Sequence, residues 1–353
     1  MRWSKAIQRQ AEGGAAAAAP PPRRVVVFGG GSFGTAMGAS LARGRPGLDV
    51  VLLLRDGGLA DDINGVRRNT KYLPEFTLPP NVRATTDAAI AASACYALHA
   101  VPVQHSRAFL SGLRGALPPH VPVVCVSKGL EVGSGLMMSQ LIPSALGRRQ
   151  PAAFISGPSF AREVMEGRPT GLVAASRDAG LARDVQRLLA SPTMRVSTTS
   201  DVTGVEICGA LKNVLAIAAG IVEGLGLGHN ARAALVAQGC SEIRWLAEKL
   251  GAAPATMSGL SGLGDVMLTC YGDLSRNRRV GVRLGQGEAL EDILASSSQV
   301  AEGVATAGAV VGLARRYRVG LPVLTAVAQV LGGGLGPAEA VAEIMRLPQV
   351  EER

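Results

Sequence analysis

Val25-Val26-Val27-Phe28-Gly29-Gly30-Gly31-Ser32-Phe33-Gly34-Thr35 is the stretch that decides the fold. A short β-branched run feeds a glycine-rich turn, and a helical pattern follows over 35–43. The spacing G-x-G-x-x-G falls on Gly29, Gly31 and Gly34. Between a strand and a helix, such glycines permit a tight turn, close approach of backbone to a pyrophosphate, and close helix–strand packing. The stretch therefore reads as the phosphate-binding turn of a dinucleotide fold.

The pattern continues outward from this turn. A second apolar strand over 50–54 ends at Arg55-Asp56. An acid at such a strand end favours NAD, whereas an arginine can take the 2′-phosphate of NADP. With Arg55 first and Asp56 next, both cofactors stay open, with a lean towards accepting NADPH. Further strands are expected over 96–101, 121–126 and 152–155. They run into Pro102, into Ser127-Lys128-Gly129-Leu130-Glu131, and into Ser156-Gly157-Pro158-Ser159-Phe160-Ala161. Strand, turn and helix alternate as in a parallel α/β sheet, with ligand-facing turns at its carboxyl edge. Lys128 on one of these turns can meet a phosphate or be a solvated loop lysine.

After Ser200 the strand signal gives way to helical periodicity over 231–250, 301–316 and 322–331. The expected fold class is α/β: an N-terminal Rossmann-type, doubly wound, mostly parallel sheet over 23–199, then an all-helical substrate-binding and catalytic domain over 200–349. Residues 1–22 hold an alanine run and Pro20 to Pro22, and read as a disordered leader or the remnant of a transit peptide. The default site is the cleft between the domains.

Lys212 is the only charge in the apolar run 207–222. A lysine buried there loses hydration and its pKa falls unless an anion compensates it, which is how a proton-donating lysine is made. The alternative is that it snorkels to water. The run is interrupted by Gly209, Lys212 and Asn213, and reads as too short to span a bilayer. Asp265, after the glycine loop 258–264, is a candidate to orient Lys212. Ser275-Arg276-Asn277-Arg278 offers a planar guanidinium fork with extra donors, suited to a phosphate.

Composition bounds the rest. A chain of 353 residues with 47% hydrophobic content can bury a large core. Its five cysteines lie far apart, without metal-ligand spacing, and read as reduced, buried thiols; no metal site is expected. Of the net charge of +9, residues 1–24 carry +4, and only 3% of residues are aromatic. That argues for a small anionic substrate over nucleic acid.

Taken in order, the segments 29–36, 127–131, 157–161, 211–214, 262–265, 275–278 and Glu302-Gly303 resemble the motifs of the NAD(P)-dependent glycerol-3-phosphate dehydrogenase family across about 24–349. Gln104, His105 and the ending 347–352 resemble its plastid type in plants. The resemblance implies reversible reduction of dihydroxyacetone phosphate to sn-glycerol 3-phosphate, feeding glycerolipid synthesis, with NAD or NADP as cofactor. It implies Lys212 as catalytic acid/base with Asp265. Gly29, Gly31, Ser32, Phe33, Gly34, Arg55, Lys128, Ala161, Arg276, Val300 and Glu302 would hold the cofactor. Lys128, Gly157, Ser159, Lys212, Asp265, Ser275, Arg276 and Asn277 would hold the substrate. Phe33 stands where the bacterial members commonly have tryptophan. A homodimer in the plastid stroma, or otherwise in the cytoplasm, is expected. Two alternatives are a 3-hydroxyacid dehydrogenase and a non-catalytic dinucleotide sensor. The former typically carries asparagine four residues after the lysine, where Ala216 stands here.

Overall fold

The computed structural model describes residues 24–297 and 300–348. The expected leader over 1–22 and the end of the chain from Gln349 lie outside the described residues. One eight-stranded sheet has the order β3-β2-β1-β4-β5-β6-β7-β8. Its strands are β1 (Arg24–Phe28), β2 (Asp49–Leu53), β3 (Val82–Thr85), β4 (Tyr96–His99), β5 (Val123–Cys125), β6 (Ala152–Ser156), β7 (Thr170–Ala175) and β8 (Met194–Thr199). Neighbours run parallel except β6 with β7. Helices α1 (Ser32–Gly44), α2 (Gly57–Gly65), α3 (Val103–Gly112), α4 (Met138–Leu146), α5 (Ala161–Glu166) and α6 (Ala179–Leu189) are interleaved with the strands.

Burial explains why the β1 run is a strand with no polar face. Val25 and Val27 join the core on one side of the sheet, while Val26 and Phe28 join the core on the other. Successive side chains of a strand point to opposite faces, so a strand covered on both must be apolar throughout.

From Val202 the described chain is helical: α7 (Val202–Gly224), α8 (Gly228–Lys249), α9 (Asp265–Tyr271), α10 (Arg276–Gly285), α11 (Leu290–Ala295), α12 (Glu302–Tyr317), α13 (Pro322–Leu331) and α14 (Pro337–Met345). The centre of this part is α7. Asp201 caps it by accepting from the Gly204 N–H at 2.9 Å. Helices α8, α9, α10, α12 and α13 pack around it, which is why it is mostly apolar, Glu206, Lys212, Asn213 and Glu223 being the main exceptions. Against the expectation drawn from its interruptions, its 23 residues are long and apolar enough to cross a membrane. Within its most apolar window, however, 94% is buried against protein, so it is the core helix of this fold.

Helix α10 packs closest to α7, through glycines on both. A β-carbon at Gly281 would lie 2.0 Å from the Ile217 carbonyl oxygen, and one at Gly220 would lie 2.1 Å from that of Arg278. The two backbones touch, which fixes what α10 presents to the cleft.

Strands β3, β7 and β8 were not anticipated. β3 and β8 lie at the sheet edges and alternate buried with exposed residues, and three of the six residues of β7 are Gly or Ala, which carry little strand preference. The expectation for the cysteines also needs correcting. All five are free, but Cys95 is exposed and Cys240 only partly buried. Cys95 sits just ahead of β4 rather than within it.

Candidate active site

A cleft of about 1090 Å³ lies between the carboxyl ends of the central strands and helices α7, α9 and α10. β1 has β2 on one side and β4 on the other, so strand order reverses there, and this is where open α/β sheets bind ligands.

The glycine turn forms one wall. Gly29 has φ +104°, and a β-carbon there would sit 3.0 Å from the Ala100 carbonyl oxygen. Gly31 caps α1 without any side-chain hydrogen bond, and a β-carbon on it would meet nothing within 4 Å. No side chain caps the first turn of α1 and Gly31 leaves space beside it, which suits a pyrophosphate. Asn69 braces the turn from behind, its amide donating to the Gly30 carbonyl at 2.9 Å and the Thr35 hydroxyl at 2.8 Å. Asn69 is 39 residues from Gly30, and nothing local in the sequence marks it. Of the two residues after β2, Asp56 is engaged: it caps α2 through the Leu59 N–H and pairs with Lys71 at 3.4 Å. Those bonds hold its carboxyl below the usual range. Arg55 is exposed and lines the cleft.

Facing this wall, α7 presents Lys212, whose exposure is 6%. It does not snorkel. Its ammonium donates to Asp265 Oδ1 and, at 2.8 Å, to the Thr269 hydroxyl. Asp265 and Thr269 lie one turn apart on α9, so a single helix face supplies both acceptors, and Thr269 donates back to the Asp265 carbonyl at 2.6 Å. The other carboxylate oxygen of Asp265 accepts from Lys128 at 2.6 Å, from the Ser156 hydroxyl at 3.1 Å and from the Gly157 N–H at 3.3 Å. Two lysines thus share one carboxylate that is 1% exposed. Burial would raise the Asp265 carboxyl, but the two ammonium groups outweigh it and hold the group below its ordinary value. For Lys212 the balance differs. Burial lowers it, Asp265 restores part, Lys128 opposes, and the lysine falls to about 8.

Helix α10 brings the third component. Ser275 caps it by accepting from the Arg278 N–H at 3.2 Å. Asn277 donates to the Asn213 side chain at 3.0 Å and accepts from the Gly303 N–H at 3.0 Å, tying α10 to α7 and α12. Between them Arg276 opens onto the cleft, near Glu302. Desolvation by the cleft walls lowers the guanidinium, and it raises Glu302 to about 7.

Gly29, Gly31, Ser32, Phe33, Gly34, Arg55, Lys128, Ser159, Ala161, Lys212, Ser275, Arg276, Asn277, Val300 and Glu302 all line this one cleft. Gly157 and Asp265 stand just behind its wall, touching Lys128. Thr269 and Ser156 complete the lysine–carboxylate cluster, and no motif in the sequence marks either. Among the described residues, no group of three or more His, Cys, Asp or Glu could hold a metal ion.

A dinucleotide turn facing a buried lysine across a cleft, with an arginine beside it, defines an oxidoreductase of the nicotinamide-dependent class. Residues 24–182 match the model described as NAD-dependent glycerol-3-phosphate dehydrogenase N-terminus, and residues 201–342 match the corresponding C-terminus. The chain is 58% identical over 100% of its length to the chloroplastic glycerol-3-phosphate dehydrogenase [NAD(+)] 2 of Arabidopsis thaliana, covering 84% of that protein. It is 59% identical over 91% of its length to the chloroplastic glycerol-3-phosphate dehydrogenase [NAD(+)] of Oryza sativa subsp. japonica, covering 74% of that protein. Among solved structures, the glycerol-3-phosphate dehydrogenase of Coxiella burnetii superposes with TM-score 0.88 at 34% identity, over 93% of this chain and 100% of that one. The chain belongs to the NAD-dependent glycerol-3-phosphate dehydrogenase family.

Proposed function

We infer that this protein is a glycerol-3-phosphate dehydrogenase, catalysing the reversible NAD(P)H-dependent reduction of dihydroxyacetone phosphate to sn-glycerol 3-phosphate. The observation that carries the assignment of roles is Lys212, buried at the cleft wall, held by Asp265 and Thr269 and facing the glycine turn.

The glycine turn fits a dinucleotide pyrophosphate, because Gly31 leaves open space in front of the uncapped N-terminus of α1. When bound, the nicotinamide supplies the hydride to C2 of the substrate. Lys212 donates a proton to the oxygen of that carbon as negative charge develops on it, and takes the proton back in the oxidation direction. Asp265 orients Lys212 and keeps it charged in a site that would otherwise neutralise it. Lys128 draws the second carboxylate oxygen of Asp265 aside, so that the first remains aimed at Lys212. Arg276 anchors the substrate phosphate, which uses binding energy at a remote group to orient the reacting carbon. Ser275 and Asn277 stand beside Arg276 on the substrate side: the Ser275 oxygen accepts from the Arg278 N–H and keeps its own hydrogen to donate, while Asn277 is bonded to Asn213 and Gly303. Ser159, whose hydroxyl donates to the Gly157 carbonyl at 2.9 Å, lines the substrate side.

Lys212→Ala tests the assignment. Spectrophotometric NADH oxidation with dihydroxyacetone phosphate should fall about a hundredfold or more, and wild-type turnover would refute it. On cofactor choice, Asp56 is committed to capping α2 and to Lys71 while Arg55 is exposed, which supports use of NADPH alongside NADH. The division into a dinucleotide-binding domain over 23–199 and a helical domain over 200–349 is part of the same proposal, as is assembly into a homodimer. The chloroplastic names of the plant relatives support location in the plastid stroma and supply of glycerol 3-phosphate to glycerolipid synthesis.

A further inference from the structure

Behind the lysine–carboxylate cluster lies a second, separate space of about 10 Å³, walled by Ser127, Lys128, Ser156, Glu206 and Gly209 among others. That is room for one water molecule. Two of its walls are unusual. One is Glu206 on α7, whose Oε1 accepts the Ser139 N–H of α4 at 2.9 Å. Its Oε2 is buried and makes no hydrogen bond of good geometry among the described residues, although the Ser139 hydroxyl and the Met138 N–H of α4 lie near the carboxylate. The other is Ser156, 2% exposed, whose single O–H is spent on Asp265 Oδ2 at 3.1 Å. Gly209 keeps the space open: a β-carbon on it would lie 3.1 Å from the Ser156 hydroxyl oxygen and 3.6 Å from the Lys128 stem.

The donor count identifies what fits. A carboxylate only accepts, and a serine hydroxyl that has given away its hydrogen can only accept. Above neutral pH, where Glu206 is ionised, two acceptors beside one small space need a bridge with two donors, and a water is the molecule of that size that has them. We propose that Glu206 is a positioning residue for the Lys212 proton donor, acting through one water that fills this space and bridges its carboxylate to the Ser156 hydroxyl. This rests on Lys212 as proton donor. The chain of contacts is then continuous: Glu206, water, Ser156, Asp265 Oδ2, Asp265 Oδ1, Lys212.

The chain acts through charge. Ionised Glu206 adds a negative charge six residues before Lys212 on α7, about 9 Å along the axis. At that distance, inside protein, it favours the protonated form of the lysine. The groups facing Glu206 are Ser139 and Met138 of α4, Cys125 of β5, Lys128, and Arg177 after β7. Burial pushes its carboxyl up to about 7, with the bonds to α4 and the charge of Arg177 opposing. The support given to Lys212 is therefore absent below neutral pH and present above it, where a lysine lowered to about 8 needs it.

Glu206→Gln keeps an acceptor for the Ser139 N–H and removes the charge. Steady-state reduction of dihydroxyacetone phosphate, measured from pH 6 to 9, should give a kcat equal to wild type at pH 6. At pH 8.5 it should be about three- to tenfold lower, with the alkaline limb moved to lower pH and KM within twofold. Gly209→Ala is the companion variant, because its methyl displaces the water that solvates the Glu206 carboxylate; without that water the buried carboxyl stays protonated, so the charge is lost as it is in Glu206→Gln. It should show the same pH-dependent loss, and adding Glu206→Gln to it should cost nothing further. A loss equal at pH 6 and pH 8.5, no loss at either pH, or losses that multiply in the double variant would each overturn the proposal. If Glu206→Gln does not fold, Gly209→Ala alone decides by the same pH criterion. Failure of the underlying reading is distinct: it appears as turnover in Lys212→Ala, whatever the pH profile of variants that retain the lysine.

Discussion

A lysine with 6% exposure is held charged here by one carboxylate, and that carboxylate is claimed by a second lysine as well. As the proposed proton donor, Lys212 must be protonated to donate in the reduction direction and unprotonated to accept in oxidation. With its pKa lowered to about 8 by burial, reduction should decline as pH rises through about 8, while oxidation of glycerol 3-phosphate should rise over the same interval. Rate profiles in both directions from pH 6.5 to 9.5 check this, and a flat pair of profiles would contradict it. Arg276, which lines the cleft, is proposed to act at the other end of the substrate. Arg276→Ala removes a charge-assisted contact to phosphate, so KM for dihydroxyacetone phosphate should rise about tenfold or more. An unchanged KM would remove Arg276 from the phosphate site. Both residues were legible in the sequence, one as a lone charge in an apolar run and the other as a fork beside small polar donors. Ser156, Thr269 and Glu206 were not, because single serine, threonine and glutamate residues in apolar strands and helices are common, and nothing local marks their partners. Only the third dimension brings Ser156 within 3.1 Å of a carboxylate 109 residues away.

Among the elements, α7 and α10 depend most on each other. The glycine pairing between them leaves no room for a methyl group: at Gly281 it would lie 2.0 Å from a backbone oxygen that cannot move aside. Gly281→Ala should destabilise the protein by about 2–3 kcal/mol and lower the thermal unfolding midpoint by several degrees. It should also raise KM for the phosphate substrate, since Arg276 rides on α10. Calorimetry with kinetics on the folded fraction tests both, and a variant of wild-type stability would mean that the helices can separate without cost. The sequence shows that α10 is glycine-containing and basic, but not that its glycines face those of α7. Strand β1 and the turn after it were readable because a strand buried on both faces must be wholly apolar. Strand β7 was not, although it is interior, because Gly171, Ala174 and Ala175 carry little strand preference and its place is set by its neighbours.

For the whole molecule, the order of motifs along the chain carried more than any one of them. A glycine turn, a buried lysine and an arginine loop 64 residues further on have little in common locally, yet they meet in one cleft. The assembly of that molecule is open to direct measurement. Sedimentation equilibrium should return twice the mass of the 36.2 kDa chain, and a single-chain mass at micromolar concentration would refute the proposed homodimer.

The shared carboxylate has one more consequence, which concerns release. With Lys128 and Lys212 both charged, the cluster around Asp265 carries one uncompensated positive charge, and this attracts a phosphorylated ketone into the cleft. With Lys212 as the proposed proton donor, giving up its proton cancels that charge as the alcohol forms. The product then sits beside a neutral cluster that holds a dianion less firmly. Reprotonation of Lys212 after departure restores the attraction for the next substrate, so the same proton that completes the reaction also loosens the grip on what it made.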